Sequence, residues 1–261
     1  MIGHLFRYEL KCGSIVFPLS WAVIAILFLF IKLAEKLELF VVLGFLSLSI
    51  VLVTIGSMLY AVIFPVLRYY KSMFGKEAYL IQTLPVSKGK LLFSKLAFAG
   101  MCYLAGLITV ALVFVLTRLF EGNIFEIFSG ILGGRSALLW YFGISVIIQS
   151  FQTINLLYFA ITLANTSRFI KNNIAFSVLF YLVGNFVAGI INVIAMLFIP
   201  LVLQITPTSS QIAFKFYFME LHNINNYNIV LGLGSMVTML LISMILVVLT
   251  EKLLRTKASV K

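Results

Sequence analysis

Residues 39–67 carry no charge, and at the helical rise of 1.5 Å per residue this run is roughly 40 Å long. Inside a bilayer, backbone N–H and C=O groups find no water, so they must pair within the segment, and a helix achieves this alone. Comparable apolar runs recur at about 14–31, 96–117, 137–164, 174–200 and 229–250. Runs of about 18 or more apolar residues read as transmembrane helices. Only 10% of residues are charged and the mean hydropathy is +1.15, whereas soluble domains carry roughly 25% charged residues. The expectation is an all-α polytopic membrane protein with six transmembrane helices, forming a single transmembrane domain over residues 1–261.

Six spans place both termini on one side. Fourteen of the 19 Lys and Arg residues then fall in the two termini, the segment between spans two and three, and the turn after span four. The positive-inside rule puts that side, with both termini, in the cytoplasm. Glu9, Glu77 and Glu251 lie on the same side and the other five acids opposite, so the whole net charge of +11 is cytoplasmic. The basic balance therefore reflects topology, and no nucleic-acid partner is expected. Cys12 and Cys102 fall near or within the inner half of the membrane, where a structural disulfide is not expected.

Between the spans the sequence predicts smaller features. Residues 1–13 place Ile2, Leu5, Phe6 and Leu10 on one helical face and His4, Arg7 and Lys11 on another, the pattern of a short interfacial helix. The first span lacks a small-residue cleavage site after it, so it reads as retained rather than as a signal peptide. Pro65 is positioned to kink span two. Asn123 and Glu126 have capping-box spacing, which predicts a second interfacial helix over 124–132. The short NTSRFIKNN turn makes spans four and five antiparallel neighbours. The stretch IAFKFYFMEL, within 204–228, is expected to dip back onto the membrane.

Several chemistries are missing. The chain has no Asp, and no span interior as drawn above holds an ionisable residue of the kind proton-driven transporters use. His4 and His222 lie on opposite sides of the membrane, which excludes an intramembrane metalloprotease or Ser–His hydrolase. Cys12 and Cys102 have no metal-ligand spacing. No GxxxxGK phosphate-binding loop is present. The expectation is a non-enzyme with no catalytic residues, metal or cofactor, for which any uphill transport must draw energy from a partner.

The polar residues within the spans form two groups. Ser145, Gln149, Gln152 and Thr153 share one face of span four, with Asn155 off that stripe. Asn185 and Asn192 in span five share a side with Ala188 and Gly189. Amides and small residues of this kind either join helices through hydrogen bonds and close packing or line a polar translocation path. Thr54 and Ser57 in span two are weaker candidates for either role.

Residues 68–95, RYYKSMFGKEAYLIQTLPVSKGKLLFSK, form the most distinctive stretch. They hold six basic residues and a single acid, Glu77. Residues 72–79 suit one or two helical turns weakened by Gly75. Pro85 breaks the helix, and Ser87 is placed to cap a new one that starts near Lys88 and runs into span three. A short element hung between two membrane helices would convert a push into helix tilt. By composition alone it reads rather as a basic loop held against anionic headgroups.

The order of residues here resembles the first cytoplasmic loop of ABC-type exporter permeases of the second export class. An acid in a short helix, a Thr-Leu-Pro-Val-Ser turn and a Ser-Lys pair entering the third span are matched by Glu77, Thr83, Leu84, Pro85, Val86, Ser87, Ser94 and Lys95. The resemblance implies two permease subunits per transporter, as homodimer or heterodimer, and separate ATPase subunits that bind the ATP. It also implies a coupling helix of Met73, Phe74, Lys76, Glu77, Tyr79 and Leu80, with Glu77 as its acidic contact. A bacterial plasma membrane and a peptide, antimicrobial or lipid-like cargo follow from the same likeness. The alternatives are a substrate-binding component of a vitamin-uptake transporter and a non-transporting immunity or assembly protein.

Overall fold

The computed structural model describes residues 15–75, 77–79, 86–121, 136–166, 172–205, 210–220 and 229–256. The expected interfacial helices at 1–13 and 124–132 lie outside these residues. Among the described residues six helices are long and apolar enough to cross a membrane, and the chain is an all-α polytopic membrane protein. Its helices expose Phe45, Leu52, Ile55, Leu182, Phe186 and Met244 among many other large apolar side chains. Such a belt is stable against lipid and not against water. The chain forms two compact units, Met1–Ile127 and Phe128–Lys261.

The first unit packs α1 (Val16–Lys36), α2 (Phe40–Phe74) and α3 (Lys88–Glu121) against one another. Helix α1 buries Phe17, Ile24, Phe28, Ile31 and Ala34, a single stripe at helical spacing. Ile24, Phe28 and Ile31 pack with Ile50 of α2 and with Leu112 and Leu116 of α3. Phe17, Ala61, Phe98 and Cys102 form a second cluster. There Phe17 meets Tyr60 edge-on at 5.6 Å, Tyr60 stacks on Phe64 at 4.9 Å, and Phe64 meets Phe98 at 6.0 Å. The Trp21 indole N–H donates to Thr109 Oγ1 at 2.9 Å and ties α1 to α3.

Helix α1 does not stop near residue 31 but runs on to Lys36, because Lys32, Leu33, Ala34, Glu35 and Lys36 are all good helix formers. It ends in a Schellman motif. Leu39 N–H donates to Ala34 O at 3.0 Å, Glu38 N–H donates to Glu35 O at 3.1 Å, and Glu38 takes a left-handed φ of 55°. A side chain there is strained, so Glu38→Gly is expected to raise stability by about 1 kcal/mol, seen as a higher midpoint in a detergent thermal melt. Helix α2 likewise continues past residue 67. It passes through Pro65, which forgoes a bond to the Ala61 carbonyl, and reaches Phe74.

The second unit packs α4 (Ser136–Ala164), α5 (Asn173–Phe198) and α7 (Gly234–Thr256). Leu156, Ala188 and Leu246 meet at its centre. Spans four and five are neighbours as expected, and Asn173 Nδ2 donates to Asn165 Oδ1 at 3.0 Å across the turn. Helix α5 ends at Phe198 because Pro200 drives Ile199 into an extended conformation, φ −79° and ψ 123°.

The sequence reading missed a small sheet. Strands β1 (Val202–Ile205), β2 (Ser210–Ala213) and β3 (Ile229–Gly232) form an antiparallel sheet in the order β2-β1-β3, with the short helix α6 (Tyr217–Glu220) between β2 and β3. Span six therefore starts at Gly234, not near residue 229. A short apolar run such as IVLG does not distinguish strand from helix by periodicity, and here pairing with β1 decides.

Candidate functional site

Helices α2 and α3 both outrun a bilayer. Their 35 and 34 residues correspond to about 50 Å each, against a hydrocarbon core of about 30 Å. The last seven residues of α2, from Arg68, and the first of α3, from Lys88, extend about 10 Å beyond the apolar cores of the two helices. The connection is short. Gly75 closes α2 by donating to the carbonyls of Tyr70 and Lys71, both at 3.1 Å. A Cβ on Gly75 would sit 2.7 Å from the Lys71 carbonyl oxygen, so only glycine fits this close reversal. At the far side, Ser87 O accepts the N–H of Leu91 at 3.1 Å and opens α3 where the sequence places its cap.

The segment is braced by an ion pair. Arg68 Nη1 donates to Glu77 Oε1 at 3.2 Å, with the Arg68 side chain 11% exposed and that of Glu77 42% exposed. Glu77 therefore has two faces, one engaged by the guanidinium and one open. Met73, Phe74 and Ala78 are buried, and the Phe74 ring meets Tyr69 edge-on at 6.2 Å. Tyr79 is 72% exposed. Of the residues expected to form a coupling element, Met73 and Phe74 thus anchor it, while Glu77 and Tyr79 present a surface. Lys76 and Leu80 lie outside the described residues, as do Thr83, Leu84 and Pro85. Ser94 and Lys95 are buried on α3.

No family model, curated protein or solved structure matches the chain.

The polar residues of the spans separate into two sets. Asn192 Nδ2 donates to Gln152 Oε1 at 3.2 Å, and Thr238 Oγ1 donates to Asn192 Oδ1 at 3.0 Å. This chain of bonds joins α4, α5 and α7. Ser145 and Thr153 donate back to the carbonyls of Tyr141 and Gln149 on their own helix. Gln149 and Asn185 are exposed, and Asn185 stands at the midpoint of α5. Asn155 is buried, with neither amide atom hydrogen-bonded among the described residues. The side of α5 that Asn185 and Asn192 share is therefore buried unevenly: Ala188 is buried and Asn192 is bonded to its neighbours, while Asn185 and Gly189 are exposed.

Thr238 was not legible in the sequence, since a lone Thr in an apolar span carries no signal until its partner helix is placed. Asn155 was visible but lay off the stripe, and only packing shows its burial. Asn192→Leu is expected to destabilise the protein by about 2 kcal/mol, from two lost interhelical bonds and a stranded Gln152 amide. In a thermal-unfolding series, Asn192→Leu combined with Gln152→Leu should cost less than the sum of the single changes.

Proposed function

We propose that the chain is the transmembrane permease subunit of an ATP-driven exporter, worked through the segment between α2 and α3 by a separate ATPase. The observation that carries this reading is the pair of overlong helices joined by a short, ion-paired segment beyond their apolar cores, with Glu77 and Tyr79 exposed. Helices that continue unbroken from that segment into the bilayer turn a displacement at one end into tilt along their length. The likeness of residues 72–95 to the first cytoplasmic loop of second-class export permeases supports the same reading. So does the distribution of basic residues, which puts the segment in the cytoplasm.

In this reading Met73 and Phe74 fix the coupling element to its own helices, and the ATPase reads Glu77 and Tyr79. Gln152, Asn192 and Thr238 hold one helical unit together. Asn185, a primary amide at mid-span with no hydrogen-bond partner among the described residues, faces either the translocation path or a second permease subunit. The test is co-purification. The tagged chain, expressed with its ATPase, should retain that subunit through detergent extraction, and Tyr79→Ala should weaken retention about tenfold, the loss of one exposed aromatic anchor. Retention and ATPase stimulation unaltered by Tyr79→Ala and by reversal of the Glu77 charge would end the proposal.

A further inference from the structure

The second unit contains a cleft that the exporter reading does not use. Its volume is about 330 Å³, and it is walled by Ala137, Trp140, Tyr141 and Ile144 of α4, by Leu203, Ser210 and Ile212 of the sheet, and by Leu233 and Met236 at the start of α7. The α4 residues fall at i, i+3, i+4 and i+7 and so form one helix face. The register pairs Leu203 with Ile212 and Ile205 with Ser210, which sets the cleft residues of β1 and β2 on one face of the sheet. The opposite face, through Gly232, lies against Met196 of α5. The cleft is the space between a membrane helix and a sheet that caps the helix ends.

Its chemistry is apolar. Tyr141 has its hydroxyl committed to Gly232 O at 3.3 Å, which leaves the Trp140 indole N–H and the Ser210 hydroxyl as the polar side-chain groups of the wall without a hydrogen bond among the described residues. An apolar wall of this kind offers water few hydrogen-bond partners. The mouth is open, since Trp140 is 74% and Ile212 65% exposed. Its depth is set by the chain itself: the wall comes from the first turns of α4 and α7, the ends of two spans, where Trp and Tyr mark the headgroup boundary. By length and composition, an open apolar cleft at the start of these two spans borders the headgroups and upper acyl chains of the leaflet at that end of α7.

We propose that this cleft is a binding site for one acyl chain of a bilayer phospholipid, with its headgroup at the Ser210 edge and the chain lying between α4 and the sheet. The volume lies at the lower end of small-ligand sites, suited to a single hydrocarbon chain. The inference rests on the fold alone and stands whether or not the chain is an exporter.

The chain holds two tryptophans, so Trp21→Phe leaves Trp140 as sole reporter. That change is tolerable because Thr109 keeps its own bond to Ala105 O. The full chain in detergent is titrated with phosphatidylcholine brominated on its acyl chains. Trp140 emission should fall about twofold, saturate at near-stoichiometric lipid, and recover on addition of unbrominated phosphatidylcholine, as expected of a discrete site at the interface. Ala137→Phe, which fills the cleft from α4, and Ser210→Phe, which fills it from the exposed edge strand, should each abolish the saturable phase. Two fillings from different elements guard against one failing to fold. Quenching that grows linearly with lipid, or that is equal in the folded filled variants, overturns the proposal. A saturable response to brominated fatty acid but not to the phospholipid would overturn the assignment of the ligand.

Discussion

Gly234→Ala is expected to lower the stability of the protein by about 3 kcal/mol, enough to deplete the folded fraction in detergent. Gly234 opens α7 and is buried against the last turns of α5. A Cβ there would press into the Ala195 carbonyl oxygen and lie 2.8 Å from Ile199 Cβ. Both obstacles are fixed: one is backbone, the other the branch point of a stiff side chain. The damage would spread, because β1 and β3 continue outward from α5 and α7 and pair directly, with Leu233 N–H donating to Leu201 O at 2.9 Å. Separating the two helix ends therefore pulls the sheet apart. Gly189→Ala on α5 is the control. Its Cβ meets nothing within 4 Å, so it should be neutral or raise stability by up to about 1 kcal/mol through helix propensity. Thermal melts monitored by size-exclusion chromatography distinguish the two.

Reversing the charge at Glu77 should produce the largest functional effect, and the Arg68 pair determines how that effect must be read. Glu77→Lys places a cation against a guanidinium whose side chain is only 11% exposed, so the segment should lose about 2 kcal/mol of local stability. A lost ATPase partner in that variant would have two causes, a disordered segment and a reversed surface charge. The double variant Arg68→Glu with Glu77→Lys restores the pair in the opposite sense while the outward face of residue 77 stays reversed. Stability should return with the swap. Retention of the ATPase, in the proposed mechanism, should not. If partner binding recovers together with stability, Glu77 serves as a brace for the segment and the contact lies elsewhere, on Tyr79 or its neighbours.

The loop's own architecture explains why a charge swap is informative here. Gly75 turns the chain, Ala78 N–H donates to Gly75 O at 3.0 Å, and Glu77 is carried back over the last turns of α2 to Arg68, nine residues earlier. Sequence spacing places an acid in the segment but not its partner. The same limit applied to Met73 and Phe74, which read as part of a docking surface and are buried. Apolar residues at the end of a membrane helix have two equivalent uses, against a partner or against their own bundle, and only packing chooses between them.

Six membrane helices, their order, and the continuity of α3 from Lys88 into the bilayer were settled by the chain alone, because backbone hydrogen bonding in lipid leaves a long uncharged run no other structure. Tertiary structure decided what local pattern leaves degenerate. It converted residues 229–232 from helix to strand by offering β1 as a partner. It drew Asn192, Gln152 and Thr238 into one network while leaving Asn185 outside, and it bent Glu77 onto Arg68. Each of these depends on a contact between residues distant in the chain, and periodicity carries no information about which distant surface a given face will meet.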